Sequence, residues 1–190
     1  MIATRVLVAS LTAALSFGSD IRPRSVTAPP TVVLLVRHAE KAAQPPQDPP
    51  LSEAGLARAQ ALVAVARDAG VSAIITTQYE RTRKTAEPTA AALHLTPEVV
   101  DAGPVAQHAK AVADQILMHA GGTVLVVGHS NTVPAIVAAL GAPKPRDLCD
   151  SEYDQLFVVV IGDAGPPRLI RSRYAAASAD DPACAAMRPR

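Results

Sequence analysis

Two apolar runs, each closed by a histidine, constrain this chain more than any other feature. Residues 32–36 read Val-Val-Leu-Leu-Val and run straight into Arg37 and His38. A short, continuous, β-branched run is how a strand buried on both faces reads. Residues 123–128, Thr-Val-Leu-Val-Val-Gly, repeat the arrangement and end at His129. In an open α/β sheet, ligands bind just past the carboxyl ends of the strands. Two strands that each deliver a histidine to one edge of one sheet are therefore the frame that the rest of the chain must serve.

The segments between and around these strands alternate in kind. Leu51-Ser52-Glu53-Ala54-Gly55 opens a helix with Ser52 as N-cap. Leu56, Ala59, Leu62, Val63 and Ala66 recur on one face of it, and Gly70 ends it. A second strand is expected over residues 71–77, then an alanine-rich helix to about residue 93, a short strand over 96–100 and a helix over 105–119. Pro134 suits the first turn of a helix over 132–140. Residues 155–161 and 168–174 form a hairpin around the glycine- and proline-rich turn at 162–167. The expected fold is α/β: a three-layer sandwich with a mostly parallel central sheet, helices on both faces and an antiparallel edge. One domain spans residues 29–175, preceded by residues 1–28 and followed by a tail, 176–190, that is loose unless Cys184 anchors it.

Charge limits the partners. The formal net charge is +1 and aromatic residues make up 3% of the chain. That offers neither the clustered basic surface nor the stacking platform of a nucleic-acid binder, so no nucleic-acid partner is expected. Residues 1–5 form a short basic stretch, residues 6–17 are apolar, and Gly18 and Ser19 follow, which is the pattern of an export signal. The apolar run is shorter than the ~20 residues of a spanning helix. The expectation is a periplasmic or secreted protein without stable membrane insertion after signal cleavage. In such a compartment Cys149 and Cys184 could pair and staple the tail to the loop before the hairpin; the alternative is two free thiols.

The polar groups at the strand ends carry the chemistry. Arg37, His38, Arg81 and His129 would build an electropositive pocket, with Glu40, Lys41, Ser130 and Asn131 nearby as substrate-binding candidates. Guanidinium groups grip phosphate oxygens as a fork. The helix opening beyond His129 adds free N–H groups and the positive end of its dipole. This is a site for a tetrahedral dianion. A neutral imidazole can attack phosphorus and form a phosphoenzyme. Two neighbouring guanidinium charges disfavour imidazolium and keep His38 neutral. No metal or cofactor is called for, because carboxylate clusters of the kind that hold Mg²⁺ are not evident.

Residues 35–41, Leu-Val-Arg-His-Ala-Glu-Lys, resemble the Arg-His-Gly/Ala-Glu signature of the histidine phosphatase superfamily, also called phosphoglycerate-mutase-like. Residues 51–55 resemble its helix start. Residues 77–86, Thr-Gln-Tyr-Glu-Arg-Thr-Arg-Lys-Thr-Ala, resemble its second-arginine block, and Val127-Gly128-His129-Ser130 its second histidine. The four motifs stand in the family's order across residues 32–140. The resemblance implies the phosphoglycerate-mutase-like fold, His38 as the phosphorylated nucleophile, and Arg37, Arg81 and His129 as its phosphate pocket. It also implies a metal-independent phosphatase acting on a small phosphomonoester or on a phosphoramidate such as phosphohistidine.

The family's general acid, a Glu or Asp beyond the second arginine, has no clear counterpart. Asp101 and His108 are the candidates, with Asp48 and Glu152 further removed. A leaving group that needs no acid makes the gap tolerable; a phosphoglycerate-type mutase would be hurt by it. The remaining alternative is a catalytically silent phosphate-binding protein on the same fold. Other residues have bland readings. Glu40 and Lys41 read as an ion pair in solvent, Ser130 and Asn131 as helix caps, and His94, His108 and His119 as surface histidines. Arg83 and Lys84 read as a solvated face, and Tyr153 as either a pocket or a core residue.

Overall fold

A computed structural model describes residues 28–179 and 181–185 of the chain. The expected export signal falls almost wholly on residues outside the described ones. Eleven elements follow in order: β1 (Thr31–Arg37), α1 (Glu53–Asp68), β2 (Ala73–Thr76), α2 (Glu80–Leu93), β3 (Glu98–Val99), α3 (Val105–Leu117), β4 (Thr123–Gly128), α4 (Thr132–Ala139), β5 (Gln155–Ile161), β6 (Arg168–Arg173) and α5 (Pro182–Ala185). The six strands form one sheet in the order β3-β2-β4-β1-β5-β6. β1, β2, β3 and β4 run parallel, and β5 and β6 close one side as an antiparallel hairpin.

Alternation along β1 builds the three layers. Val33 and Leu35 face one core together with Val112 and Ile116 of α3 and Val133 and Ile136 of α4. Leu34 and Val36 face the other with Leu62 and Ala66 of α1 and Ala86 and Ala90 of α2. Because β1 is central, every one of these side chains lands in a core, which explains the unbroken apolar run. Each fully buried Leu or Val contributes roughly 1.5–3 kcal/mol.

The start of α1 shows how closely the layers touch at the site's edge. Ser52 caps the helix: its Oγ accepts from the Gly55 N–H at 3.2 Å. Its own N–H donates to the Glu40 carbonyl at 2.9 Å. A Cβ at Gly55 would lie 2.1 Å from that same carbonyl oxygen. Only glycine lets the helix approach the turn that follows His38.

The buried face of α1 departs from expectation. Leu56 is exposed, whereas Arg58 is 4% exposed and lies between the helix and the tail. Gly55 and Arg58 both face the Glu40 turn, Gly55 against its carbonyl and Arg58 on its carboxylate. The described part of the tail is not loose. Ser178 and a Cys149–Cys184 disulfide tie it to the loop before β5, so the pairing reading of the two cysteines holds. Among the described residues, no helix is long and apolar enough to cross a membrane.

Candidate active site

Register alone brings the two histidines together. β1 and β4 pair in parallel with Arg37 opposite Gly128. The residues that follow, His38 and His129, therefore leave the sheet side by side. The His38 N–H donates to the Gly128 carbonyl at 2.9 Å, and the two imidazole rings meet edge-on with centroids 5.4 Å apart. Both line a cavity of about 510 Å³ at the carboxyl edge of the sheet, with Arg37, Arg81, Tyr79 and Tyr153 around them.

His38 is 4% exposed. Its Nδ1 lies 2.8 Å from the Ala39 carbonyl oxygen. A carbonyl only accepts, so Nδ1 carries the proton and Nε2 keeps the ring's lone pair. The turn that carries this bond is itself held, because the Ala39 N–H donates to Thr85 Oγ1 at 2.9 Å. Thr85 sits one helical turn after Arg81 and donates to the Arg81 carbonyl at 2.7 Å. The threonine of the second-arginine block thus fastens the first motif to α2, a task its four-residue spacing from Arg81 could have signalled.

Burial is the main force on both histidines. It pushes His38 down to about 3; the charges of Arg37, His129 and Arg81 push the same way, against the Ala39 carbonyl. Burial also pushes His129 down to about 4, reinforced by Arg81, His108 and Arg37 and opposed by Asp48. A neutral nucleophile is available above its pKa, so lowering the pKa extends activity toward acid. We expect kcat/KM for an aryl phosphate, corrected for the phosphate's own second ionisation near ~6, to stay level down to about pH 5. A histidine-like inflection between about 6 and 7, near the unperturbed value, would contradict this assignment.

The arginines differ in their support. Arg81 lies in the first turn of α2, stacked 4.2 Å from the Tyr79 ring centroid. Its Nη1 reaches Asp48 at 3.4 Å. Arg37 is buried, and its Nη1 donates to the carbonyls of Cys149, Asp150 and Glu152 at 2.8, 2.9 and 3.2 Å. Tyr153 lies under it with its ring centroid 4.1 Å from the guanidinium carbon, so Tyr153 is a pocket residue. His129 is held by Thr77, whose Oγ1 is 3.1 Å from Nε2, and by its own N–H, which donates to Thr132 Oγ1 at 2.9 Å.

Several expected roles change. Glu40 does not pair with Lys41 and does not line the cleft. Its carboxylate takes a fork from Arg58 Nε and Nη2 at 2.8–3.1 Å. Burial is the largest influence and works against its charge, but Arg58's hydrogen bonds, a backbone hydrogen bond and the charges of Arg58 and Arg37 together outweigh it and hold the carboxyl below its usual range. Arg58 was missed by sequence reasoning, although its position three residues after Gly55 and four before Leu62 puts it on the buried stripe. Lys41, Ser130 and Asn131 do line the cleft. Asn131 stands at the N-cap of α4 but makes no side-chain cap bond, and the Thr132 hydroxyl is turned back to the His129 N–H.

Neither acid candidate reaches the cleft. Asp101 is exposed, and its carbonyl lies 3.1 Å from Nδ1 of His108. His108 is 3% exposed, not a surface histidine, and lies beneath the site on α3. Glu152 is taken by a fork from Arg146 and by the Cys149 N–H. Asp48 accepts from the Glu80 N–H and pairs with Arg81. The carboxylate that does line the cleft is Asp150, 3.9 Å from Arg37 on an exposed loop. His94 caps α2 in a left-handed conformation, and His119 pairs with Glu98 at 2.9 Å, so these two stay outside the site. Lys84 pairs with Glu87 on the exposed face of α2, as expected of a solvated stretch.

A mixed sheet with this strand order, carrying two histidines at the ends of adjacent parallel strands, defines the phosphoglycerate-mutase-like α/β class. The sequence model of the histidine phosphatase superfamily (branch 1) matches residues 33–103. Over those residues the chain is similar to that superfamily. None of the curated protein sequences matches it. Solved structures share its fold. Mycobacterial hydrolase 2 superposes with a TM-score of 0.60 at 15% identity, covering 82% of this chain and 95% of that one. Phosphoserine phosphatase from Entamoeba histolytica gives 0.58 at 14%, covering 77% and 98%. A protein assigned as the phosphohistidine phosphatase SixA from Agrobacterium tumefaciens gives 0.53 at 21%, covering 76% and 97%.

Proposed function

We propose that this protein is a phosphatase that works through a phosphohistidine on His38 and releases inorganic phosphate from a phosphomonoester or a phosphoramidate. One observation carries the reading: a buried neutral histidine, its Nδ1 proton held by the Ala39 carbonyl, stands in a cleft with two guanidinium groups and a second histidine. The chemistry takes two steps. Nε2 attacks phosphorus, the bond to the leaving oxygen or nitrogen breaks, and the electron pair departs with that atom. Water then attacks the phosphoenzyme, the P–Nε2 bond breaks, and the lone pair returns to the ring. Arg37, Arg81 and His129 meet the charge that builds on the phosphoryl oxygens, typically the largest catalytic contribution.

The leaving group narrows the substrate. With Asp101 and His108 away from the cleft, no buried carboxylic acid among the described residues is poised to protonate an alkoxide. That favours a phosphoramidate or an ester with an acidic alcohol over an unactivated alkyl phosphate. It also counts against a mutase, which must protonate and deprotonate an alkyl hydroxyl. The SixA protein and the phosphoserine phosphatase are both named for phosphate removal, which agrees with the general class. The disulfide fits an exported protein, as residues 1–28 suggest, because oxidising compartments preserve such bonds.

The test is trapping. The protein is mixed with a radiolabelled aryl phosphate, quenched in alkali and digested. The expected result is acid-labile label on the peptide that contains His38, turning over within the catalytic cycle. Phosphate that binds without label or product would leave a phosphate-binding protein and reject the enzyme.

A further inference from the structure

The last described residues return to the loop that holds Arg37. Beyond β6, Arg58 Nη1 donates to the carbonyls of Tyr174 and Ala176 at 3.2 and 2.9 Å. Ser178 Oγ then accepts from the N–H groups of Tyr153 and Asp154 at 2.8 and 3.0 Å. Cys184, on α5, is bonded to Cys149 across 35 residues of sequence. Two of these three ties land on residues 149–154.

Those residues form the cradle of Arg37. Three carbonyl oxygens of the loop, at Cys149, Asp150 and Glu152, converge on one guanidinium nitrogen, and Tyr153 lies against the other with its hydroxyl 3.4 Å from Nη2. Such convergence exists only while the loop keeps its curve. The loop is closed on itself by the Glu152 N–H to the Cys149 carbonyl and by the Cys149 N–H to the Glu152 carboxylate. It is tied to the turn after His129 by the Leu148 N–H to the Ser130 carbonyl. Neither cysteine belongs to the two main core clusters. The bond between them therefore bears on the loop and not on the layers.

We propose that the tail and its Cys149–Cys184 bond act as a strap that positions Arg37 for the phosphoryl group, with Ser178 and the two cysteines as positioning residues that do not touch substrate. The proposal rests on reading the cleft as a phosphate site. A caged guanidinium presents its remaining N–H groups in one orientation, whereas a released one must be ordered by the ligand. Misplacing such a group by about 1 Å costs up to ~10²-fold.

The experiment uses the full chain with the disulfide formed. A trialkylphosphine then cleaves it: phosphorus gives two electrons, water gives its oxygen to the phosphine and two protons to the sulfurs, and a phosphine oxide and two thiols result. Two readouts are followed. In side-chain ¹⁵N spectra, the Arg37 Nη protons are resolved and slow to exchange when oxidised, and broadened on reduction. By calorimetry, the affinity for inorganic phosphate falls on the order of tenfold or more. KM for an aryl phosphate rises with it, while kcat changes less. In an Arg37→Lys background, reduction changes phosphate affinity less than twofold, because the strap no longer has its target.

Unchanged Arg37 signals on reduction, or an equal loss of affinity in the Arg37→Lys protein, would overturn the strap. An oxidised protein that binds no phosphate rejects the functional reading instead, and the Arg37 spectra then decide the strap alone. Should reduction unfold the chain, Ser178→Ala loosens the tail with the disulfide intact. Broadened Arg37 signals in that variant support the strap, and unchanged ones reject it.

Discussion

His38→Ala removes the proposed nucleophile, and we expect phosphate release from an aryl phosphate to fall on the order of 10⁴-fold or more. His129 is the other imidazole, but its Nε2 is occupied by Thr77 Oγ1 at 3.1 Å. Phosphate affinity falls much less, because Arg37, Arg81 and His129 remain. The fold tolerates the change: His38 sits at the end of β1 beyond the two main cores, and its ring makes one hydrogen bond, to the neighbouring Ala39 carbonyl. Steady-state rates, a phosphate titration and a thermal melt check this together. Activity within tenfold of the parent would remove His38 from the nucleophile's role.

Arg81→Ala comes second in size, with an expected loss of about 10²–10³ in kcat/KM, the scale for deleting one preorganised donor. Arg81 suits the part because its two neighbours fix it without using it up. Tyr79 supports its flat face at 4.2 Å, and Asp48 touches one nitrogen at 3.4 Å. Stability changes little in comparison. The Asp48 carboxylate is 41% exposed, and partly exposed ion pairs are worth about 0–1 kcal/mol. Arg81→Lys keeps the charge but loses the fork, so it recovers only part of the rate. The separation is read from kinetics beside melting temperature. A variant that melts several degrees lower with kcat/KM intact would make Arg81 a structural residue.

Much of this architecture was legible because it follows from local rules. The apolar runs before His38 and His129 read as buried strands since a central parallel strand has no polar face to show, and parallel pairing then obliges both histidines to share an edge. Ser52 read as a cap and Gly70 as a stop because helix ends expose orphan backbone groups that only certain residues satisfy. The motif order supplied Arg37, Arg81 and the second histidine. What escaped were pairings between segments far apart in sequence. Glu40 stands beside Lys41 in the chain, yet its partner is Arg58, 18 residues on, because Gly55 lets α1 press against the turn after His38.

Asp101 and His108 lie at a plausible distance along the chain for an acid. Packing of α3 instead buries His108 against an Asp101 carbonyl and leaves the Asp101 carboxylate in solvent. The support of Arg37 was the least readable, since it is built from main-chain carbonyls, and a carbonyl has no letter in the sequence. The amino-acid sequence by itself determined the sheet, the strand ends and the identity of the charged and imidazole groups at them, because these depend on periodicity and residue chemistry. The tertiary structure alone decided which partner each charge takes, which nitrogen of His38 is free, and how the tail reaches Arg37. Those depend on where separate segments meet.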